Sequence, residues 1–448
     1  MVAQDVPDRD QALTLLADSA TVAIEHARRL GADHCEVSAS IHHGVSANVR
    51  MGEVETLEHS RDRGLGINVY VGHSKGHASS ADLRTNTIRD CVARAVDIAR
   101  FTQADKCNGL APADRLAVDF PDLDLWHPRP LDADAAIARA LECEAGGLEN
   151  TGITNSDGAS VSSSIGISVY ANSTGFVGRS SGTNFSQSCV LVAGKKEGMQ
   201  RDYWYDSRRA LSDLESAEAT GREAARRTVL RLGARNIPTC EVPVLFTPQV
   251  ARGLVAHLLG AISGGALYRN ASFLKDTAGV QLFPVWMQMS EFPLLMRGPG
   301  STAFDAEGVA TRERHLVDAG VLTHYVLGSY SACRLGLETT GNAGGVHNLC
   351  VKPGDYSERD LLQQMGTGLL VTEVMGQGVS IVTGDYSRGA SGFWVENGEI
   401  QYPVDEVTIA GNLRDMFMCI EAVGTDIDDR SGIQTGSILM GRVTVAGS

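Results

Sequence analysis

The chain has 448 residues, 43% of them apolar and 21% charged, a balance that supports large buried cores and argues against disorder except at the ends. A net charge of −15 argues against gripping a nucleic-acid backbone, which calls for a basic face. The nine cysteines are scattered, odd in number and never spaced C-x-x-C; they argue against a disulfide framework or a cysteine-rich zinc site and suit a reducing cytosol.

The N-terminal stretch MVAQDVPDRDQALTLL is acidic and has no basic region before an apolar one, so no signal peptide is expected. No apolar run is long enough to span a bilayer, and a cytoplasmic location is expected. Residues 10–30 read as an amphipathic helix with an apolar stripe of Leu13, Leu15, Leu16, Val22, Ile24 and Leu30. CEVSASI, GVSANVR and GLGINVYVG alternate as three strands. Helices are predicted over 85–101 and 132–149. The Ser-rich region 153–170 reads as a meander of antiparallel strands, with SDG and NSTG as turns. A fourth helix is predicted over 211–232. Its arginines, Arg222, Arg226, Arg227 and Arg231, read as a solvated face paired with acids.

The best domain boundary falls at 234–242, where a helix ends and a proline opens an extended run. VPVLFTP follows as a buried strand and 249–262 as an apolar helix. RHLVDAGVLTHYVL reads as two strands around an Ala-Gly turn, and GFWVENGEIQYPV as a hairpin around Asn-Gly. Pro403 marks a strand end or a sheet edge. The fold class is α+β: an N-terminal domain over 1–235 with helices on antiparallel strands, and a strand-rich C-terminal domain over 236–448.

Short motifs carry little chemistry. His73 and His77 have metal-like separation but sit between strands without an acid beside them. Gly72 to Gly76 spell G-x-S-x-G, but no helix follows, so a hairpin turn is expected. The loop TTGNAGGVHN reads either as a tight turn or as a cradle of amides for a carboxylate. His315, His324, His347, Cys350 and Asp385 could hold a metal only if the fold gathers them.

The segment GDYSRGASGFWVENGEIQYPV, with blocks 301–332, 329–348, 365–404 and 407–428, resembles the TldD/PmbA family of bacterial peptidase subunits, on its PmbA (TldE) side. TldD-like members hold zinc on H-E-x-x-x-H in a helix plus a distal cysteine. Carried onto this chain, Val255 stands at the first histidine, Ala256 at the glutamate, Gly260 at the second histidine and Thr435 at the cysteine. No His-Glu pair occurs anywhere in the sequence. The resemblance therefore implies no catalytic or metal-binding residue in this chain, with zinc only in a TldD-type partner subunit.

The substrates implied are unfolded or extended peptides, among them a microcin precursor and labile antitoxins. An edge strand such as GFWVENG could grip them through main-chain hydrogen bonds. His257 reads as a buried or interface histidine. Asp385, Tyr386, Ser387 and Arg388 read as contacts for peptide or partner; the other reading pairs Arg388 with Asp385 to pin a turn. A homodimer is expected when the partner is missing, with no nucleic acid or membrane contact. The alternative reading is a regulator of the gyrase-modulator type that acts through protein contacts without proteolysis.

Overall fold

The computed structural model describes residues 6–129 and 131–447. Helix α1 (Arg9–Arg29) begins at Asp8, whose carboxylate accepts from the Gln11 amide at 2.9 Å. Strands β1 (His34–Arg50), β2 (Glu53–Val71) and β3 (Ser74–Ser80) follow, then α2 (Thr85–Phe101) and α3 (Ala133–Leu148). Next come β4 (Ile153–Asn172), β5 (Val177–Ala193), β6 (Gln200–Arg208) and α4 (Ala217–Leu230). The six strands make one antiparallel sheet in the order β3-β2-β1-β4-β5-β6. Val37, Ala39, Ile41, Val45, Ala47 and Val49 alternate along β1 and face the helices. The first three join α1 and α2 in one core, the last three join α3 and α4 in another.

Local readings shift in four places. The buried face of α1 is Ala12, Leu16, Ala20, Ala23 and Ala27, while Leu15 is exposed. Small alanines let the helix lie close to the strands, and the larger apolar residues flank it. CEVSASI and GVSANVR form one strand: Gly44 lies within β1, where a Cβ would meet Ser60 Oγ at 2.7 Å and Ser163 O at 3.2 Å. The glycine there answers crowding between strands. Region 153–170 is likewise one strand, with SDG as a bulge and only Asn172 to Gly175 turning the chain. The fourth helix starts later than expected, because Ser216 caps it by accepting from Ala219 N.

The C-terminal half opens with β7 (Cys240–Phe246), α5 (Pro248–Ala261) and α6 (Gly264–Tyr268). A small sheet, in the order β10-β9-β8-β11-β16, comprises β8 (Met289–Glu291), β9 (Arg314–Asp318), β10 (Val321–Leu322), β11 (Leu349–Val351) and β16 (Ile433–Gln434). Helices α7 (Ser329–Leu335), α8 (Glu358–Met365) and α9 (Leu413–Met418) lie between strands. The main sheet runs β14-β13-β12-β7-β17-β15, built from β12 (Gly368–Met375), β13 (Asp385–Glu396), β14 (Glu399–Asn412), β15 (Ile420–Val423), β17 (Ile438–Ala446) and β7. Thr408 to Ala410 of β14 also pair with β17, which closes five strands into a barrel. One core packs α5 against this barrel, and a smaller one lies under α8.

The Asn-Gly hairpin forms between β13 and β14, with Asn397 and Gly398 at φ of 54° and 76°. Pro403 sits inside β14 ahead of the β17 contact, where its carbonyl accepts from Arg235 N. The segment GFWVENG is not an edge, since β13 is paired with β12 and β14 on its two sides. Its grip on an extended peptide, expected from sequence, is thus blocked. One cysteine expectation also changes: Cys107 and Cys333 form a disulfide across 226 residues, linking the loop after α2 to α7. No helix among the described residues is long and apolar enough to cross a membrane.

Candidate functional site

Strand β6 ends the N-terminal sheet, so its outer edge carries no strand partner among the described residues. Its sequence, RDYWYDSR, sets three aromatics between two acids. Asp202 and Asp206 are buried, and Tyr203 and Tyr205 stack with centroids 6.2 Å apart. Opposite β6 lie the first turns of α5, the strands β12 and β13, and the loop 426–433. Two adjoining cavities of about 680 and 620 Å³ fill this cleft between the halves. They share Asp202, Trp204, Arg227, Gln249 and Thr372 as walls.

Ion pairs and aromatic contacts cross the cleft. Arg231, expected on a wet helix face, is buried; it donates to Ser391 Oγ at 2.7 Å and pairs with Glu373. Arg227 lies 5.2 Å from the Trp204 centroid and 3.6 Å from Asp202 Oδ2. Arg222 and Arg226 do follow the expected pattern, pairing with Glu218 and Glu223. Arg430 stacks over Trp204 and Tyr205 at 4.3 Å from each ring centroid and holds Asp428 through bonds of 2.8 and 3.0 Å. Burial works against the Asp428 carboxylate, yet these bonds outweigh it and hold its pKa below the usual range.

The two cavities differ in sign. Acids outnumber arginines nine to four along the larger one, whereas the smaller has three arginines, Arg227, Arg252 and Arg388, to two acids. Glu358, on the larger cavity, has its pKa raised by burial and by Asp426.

The residues singled out from sequence divide by strand alternation. Tyr386 and Arg388 turn inward from β13, while Asp385 and Ser387 are exposed. His257 meets Tyr386 ring to ring at 6.0 Å. Burial, then Arg388, depresses the His257 pKa, and burial pushes the Tyr386 hydroxyl up to about 12. Arg388 does not pair with Asp385, which binds Thr383 Oγ1 at 2.6 Å instead. Its guanidinium donates to the carbonyls of Met375 and Val374 at 3.1 and 3.4 Å.

Of the four positions carried over from the zinc motif, Ala256 lines the smaller cavity. Val255 is buried in the core, Gly260 lies against Ile381, and Thr435 is buried with its hydroxyl on Gly436 O. Val255 thus points away from the cleft, and the cavity face of α5 is Gln249, Arg252, Gly253 and Ala256. Other candidates stay apart. His315 meets Ser290, Cys350 meets Gln434, and His73 and His77 bond Asn108 and Asn68. Ser74 lies on a strand, so no nucleophile elbow exists. The TTGNAGGVHN loop does cradle carboxylates, and they are the chain's own: His347 N and Asn342 Nδ2 donate to Glu291, Ala343 N to Asp305.

Sequence models of three PmbA/TldA metallopeptidase domains match residues 35–99 (domain 1), 126–232 (central domain) and 239–447 (C-terminal domain). The Metalloprotease PmbA of Escherichia coli O157:H7 is 48% identical over 97% of this chain and 96% of its own length. The chain belongs to the PmbA/TldD metallopeptidase family. Its relatives place it on the PmbA/TldE side: a PmbA homologue of Haemophilus influenzae is 47% identical over 97% of this chain and 96% of the relative. A crystal structure labelled as a modulator of DNA gyrase, from Bacteroides thetaiotaomicron, superposes with a TM-score of 0.91 at 26% identity, covering 96% of this chain and 99% of that one. TldE from Thermococcus kodakarensis shares the fold, with a TM-score of 0.83 at 20% identity over 96% and 100% of the two chains.

A metallopeptidase family implies zinc, and the donor chemistry of this PmbA-type chain does not fit it. Among the described residues, no group of three His, Cys, Asp or Glu side chains could hold a metal ion. The cavity face of α5 offers an amide, a guanidinium, a glycine and a methyl group, none of them a zinc ligand. Sequence reasoning missed Asp202, Trp204, Tyr205, Thr372 and Arg430. The run RDYWYDSR was the available signal, because three successive aromatics put rings on both faces of a strand and draw the flanking acids into a setting where they need partners.

Proposed function

We propose that this chain is the non-catalytic subunit of a TldD/TldE-type heteromeric zinc peptidase acting on unfolded or extended peptides. The observation that carries the reading is the cleft itself: the edge of β6, which has no strand partner among the described residues, beside a family helix that presents no metal ligand to the cavity. An unpaired strand edge accepts an extended chain through main-chain hydrogen bonds, with little demand on its sequence. Zinc and the water it activates then belong to a TldD-type partner, and this chain encloses the substrate against that site. The location is cytoplasmic in this reading, and the chain pairs with itself when the partner is absent. A gyrase-modulator role through protein contacts is supported only by the labels of two solved structures.

The test is cleavage of a labelled unfolded peptide by this chain, by a TldD-type chain and by their mixture, with zinc counted in each. Activity only in the mixture, with zinc confined to the partner, is the expected result. Equimolar zinc and activity in this chain alone would overturn it.

A further inference from the structure

Arg388 is the cation on the smaller cavity wall that has no acidic partner among the described residues. Arg227 pairs with Asp202 at 3.6 Å, and Arg252 reaches Asp428 at 4.0 Å. Glu373, the other acid on this wall, is committed to Arg231 and Ser391. Arg388 instead spends hydrogen bonds on two carbonyls of β12, which fix its orientation without neutralising it. A half-buried guanidinium held in this way is preorganised for an anion.

A second group on the same wall lacks a partner. Thr372 Oγ1 is buried and makes no hydrogen bond. It stands where the β12 register shifts between Val371 and Glu373, and it lines both cavities. A buried hydroxyl left unbonded is costly, and a ligand oxygen beside it removes that cost. Tyr203, Val250 and Ile433 supply apolar wall around these groups, where charge attraction is less screened than in water.

We propose that this wall is a carboxylate subsite, in which Arg388, assisted by Arg252 and the Thr372 hydroxyl, takes a carboxylate of the extended peptide. The inference rests on the peptide reading above and adds a direction to it. The adjoining cavity carries an excess of acids, which repels a carboxylate and favours a cationic or amino end. An extended peptide in the cleft therefore lies with its acidic end toward Arg388.

The test is calorimetric titration of the full-length chain with four otherwise identical unstructured peptides. One has a free C-terminal carboxylate and no acidic side chain; one is its C-terminal amide. Two further amides carry Glu or Gln at one internal position. The carboxylate-bearing peptides are expected to bind on the order of tenfold tighter than their neutral counterparts. Which pair shows the gain tells a chain terminus from a side chain. Arg388→Gln is expected to erase the gain and leave the neutral peptides unchanged, Arg388→Lys to keep part of it, and Thr372→Val to reduce it. Equal binding of acid and amide, or equal weakening of every peptide by Arg388→Gln, would overturn the subsite. If no peptide binds, the peptide reading fails, and the subsite is judged separately by phenylglyoxal labelling of Arg388. Protection by succinate but not succinamide upholds it, and no protection refutes it.

Discussion

The guanidinium of Arg430 lies 4.3 Å from the centroid of Trp204, so a loop of the C-terminal half rests on the last strand of the N-terminal sheet. The contact is more than apolar cover. Arg430 also neutralises Asp428, a carboxylate with only 3% of its side chain exposed, and donates to the Tyr205 carbonyl. One residue thus joins a buried ion pair, a stacked ring and a strand backbone across the cleft.

Arg430→Ala strips the buried Asp428 of its hydrogen-bonded partner and leaves only Arg252, 4.0 Å away. Unfolding by urea should show a loss of about 3 kcal/mol, the usual size for stranding one member of a buried pair. A double-mutant cycle with Trp204→Ala should return a coupling of about 1 kcal/mol for the ring contact. A loss below half a kilocalorie would mean that the cleft is not held by this residue.

Helices α3 and α4 cross at glycines, and there the packing tolerates nothing larger. A Cβ on Gly221 would fall 1.9 Å from Cys143 O. Gly221→Ala should force the helices apart and cost about 2–3 kcal/mol in chemical denaturation. Gly253→Ala is the control: no heavy atom lies within 4 Å of its Cβ, and α5 should be unaffected or slightly strengthened.

The Cys107–Cys333 bridge predicts a thiol count. Alkylation of the denatured, unreduced chain should label the seven free cysteines, and labelling after reduction should reach all nine. Cys333→Ser should lower stability by about 2–4 kcal/mol under oxidising conditions and have little effect under reducing ones. Nine reactive thiols before reduction would show that the pair stays open in the isolated protein.

His324 makes acid a selective stress. Burial, then the nearby Arg314, depresses its pKa from 6.5 to about 4. Because the folded value lies below the unfolded one, the stability tied to the neutral ring is complete above pH 6.5 and is lost as the pH falls toward 4. Asp305 acts in the opposite sense. Burial raises its pKa to about 6, so its contribution grows as the pH falls below that value. Comparing wild type with His324→Gln separates the two. The stability difference should move by about 1–2 kcal/mol in favour of the variant between pH 7 and pH 4, after allowance for solvent screening. A difference independent of pH would place the ring in contact with water.

Sequence alone determined the local elements and the family. Periodicity located α2 and α3, Asn-Gly placed the β13–β14 hairpin, and the lack of any His-Glu pair already removed the zinc motif. These are short-range signals, set by propensity, turn chemistry and residue type within a few positions. Tertiary structure decided the rest. CEVSASI and GVSANVR proved to be one strand running through a crowded Gly44, GFWVENG an interior strand and not an edge, and Arg231 a buried clamp and not a wet helix face. The cleft gathers Trp204, Thr372, Arg388 and Arg430 from positions far apart in the chain, onto walls supplied by both halves. Whether a glycine, an arginine or a strand edge is structural or exposed depends on what packs against it, and that neighbour lies tens to hundreds of residues away.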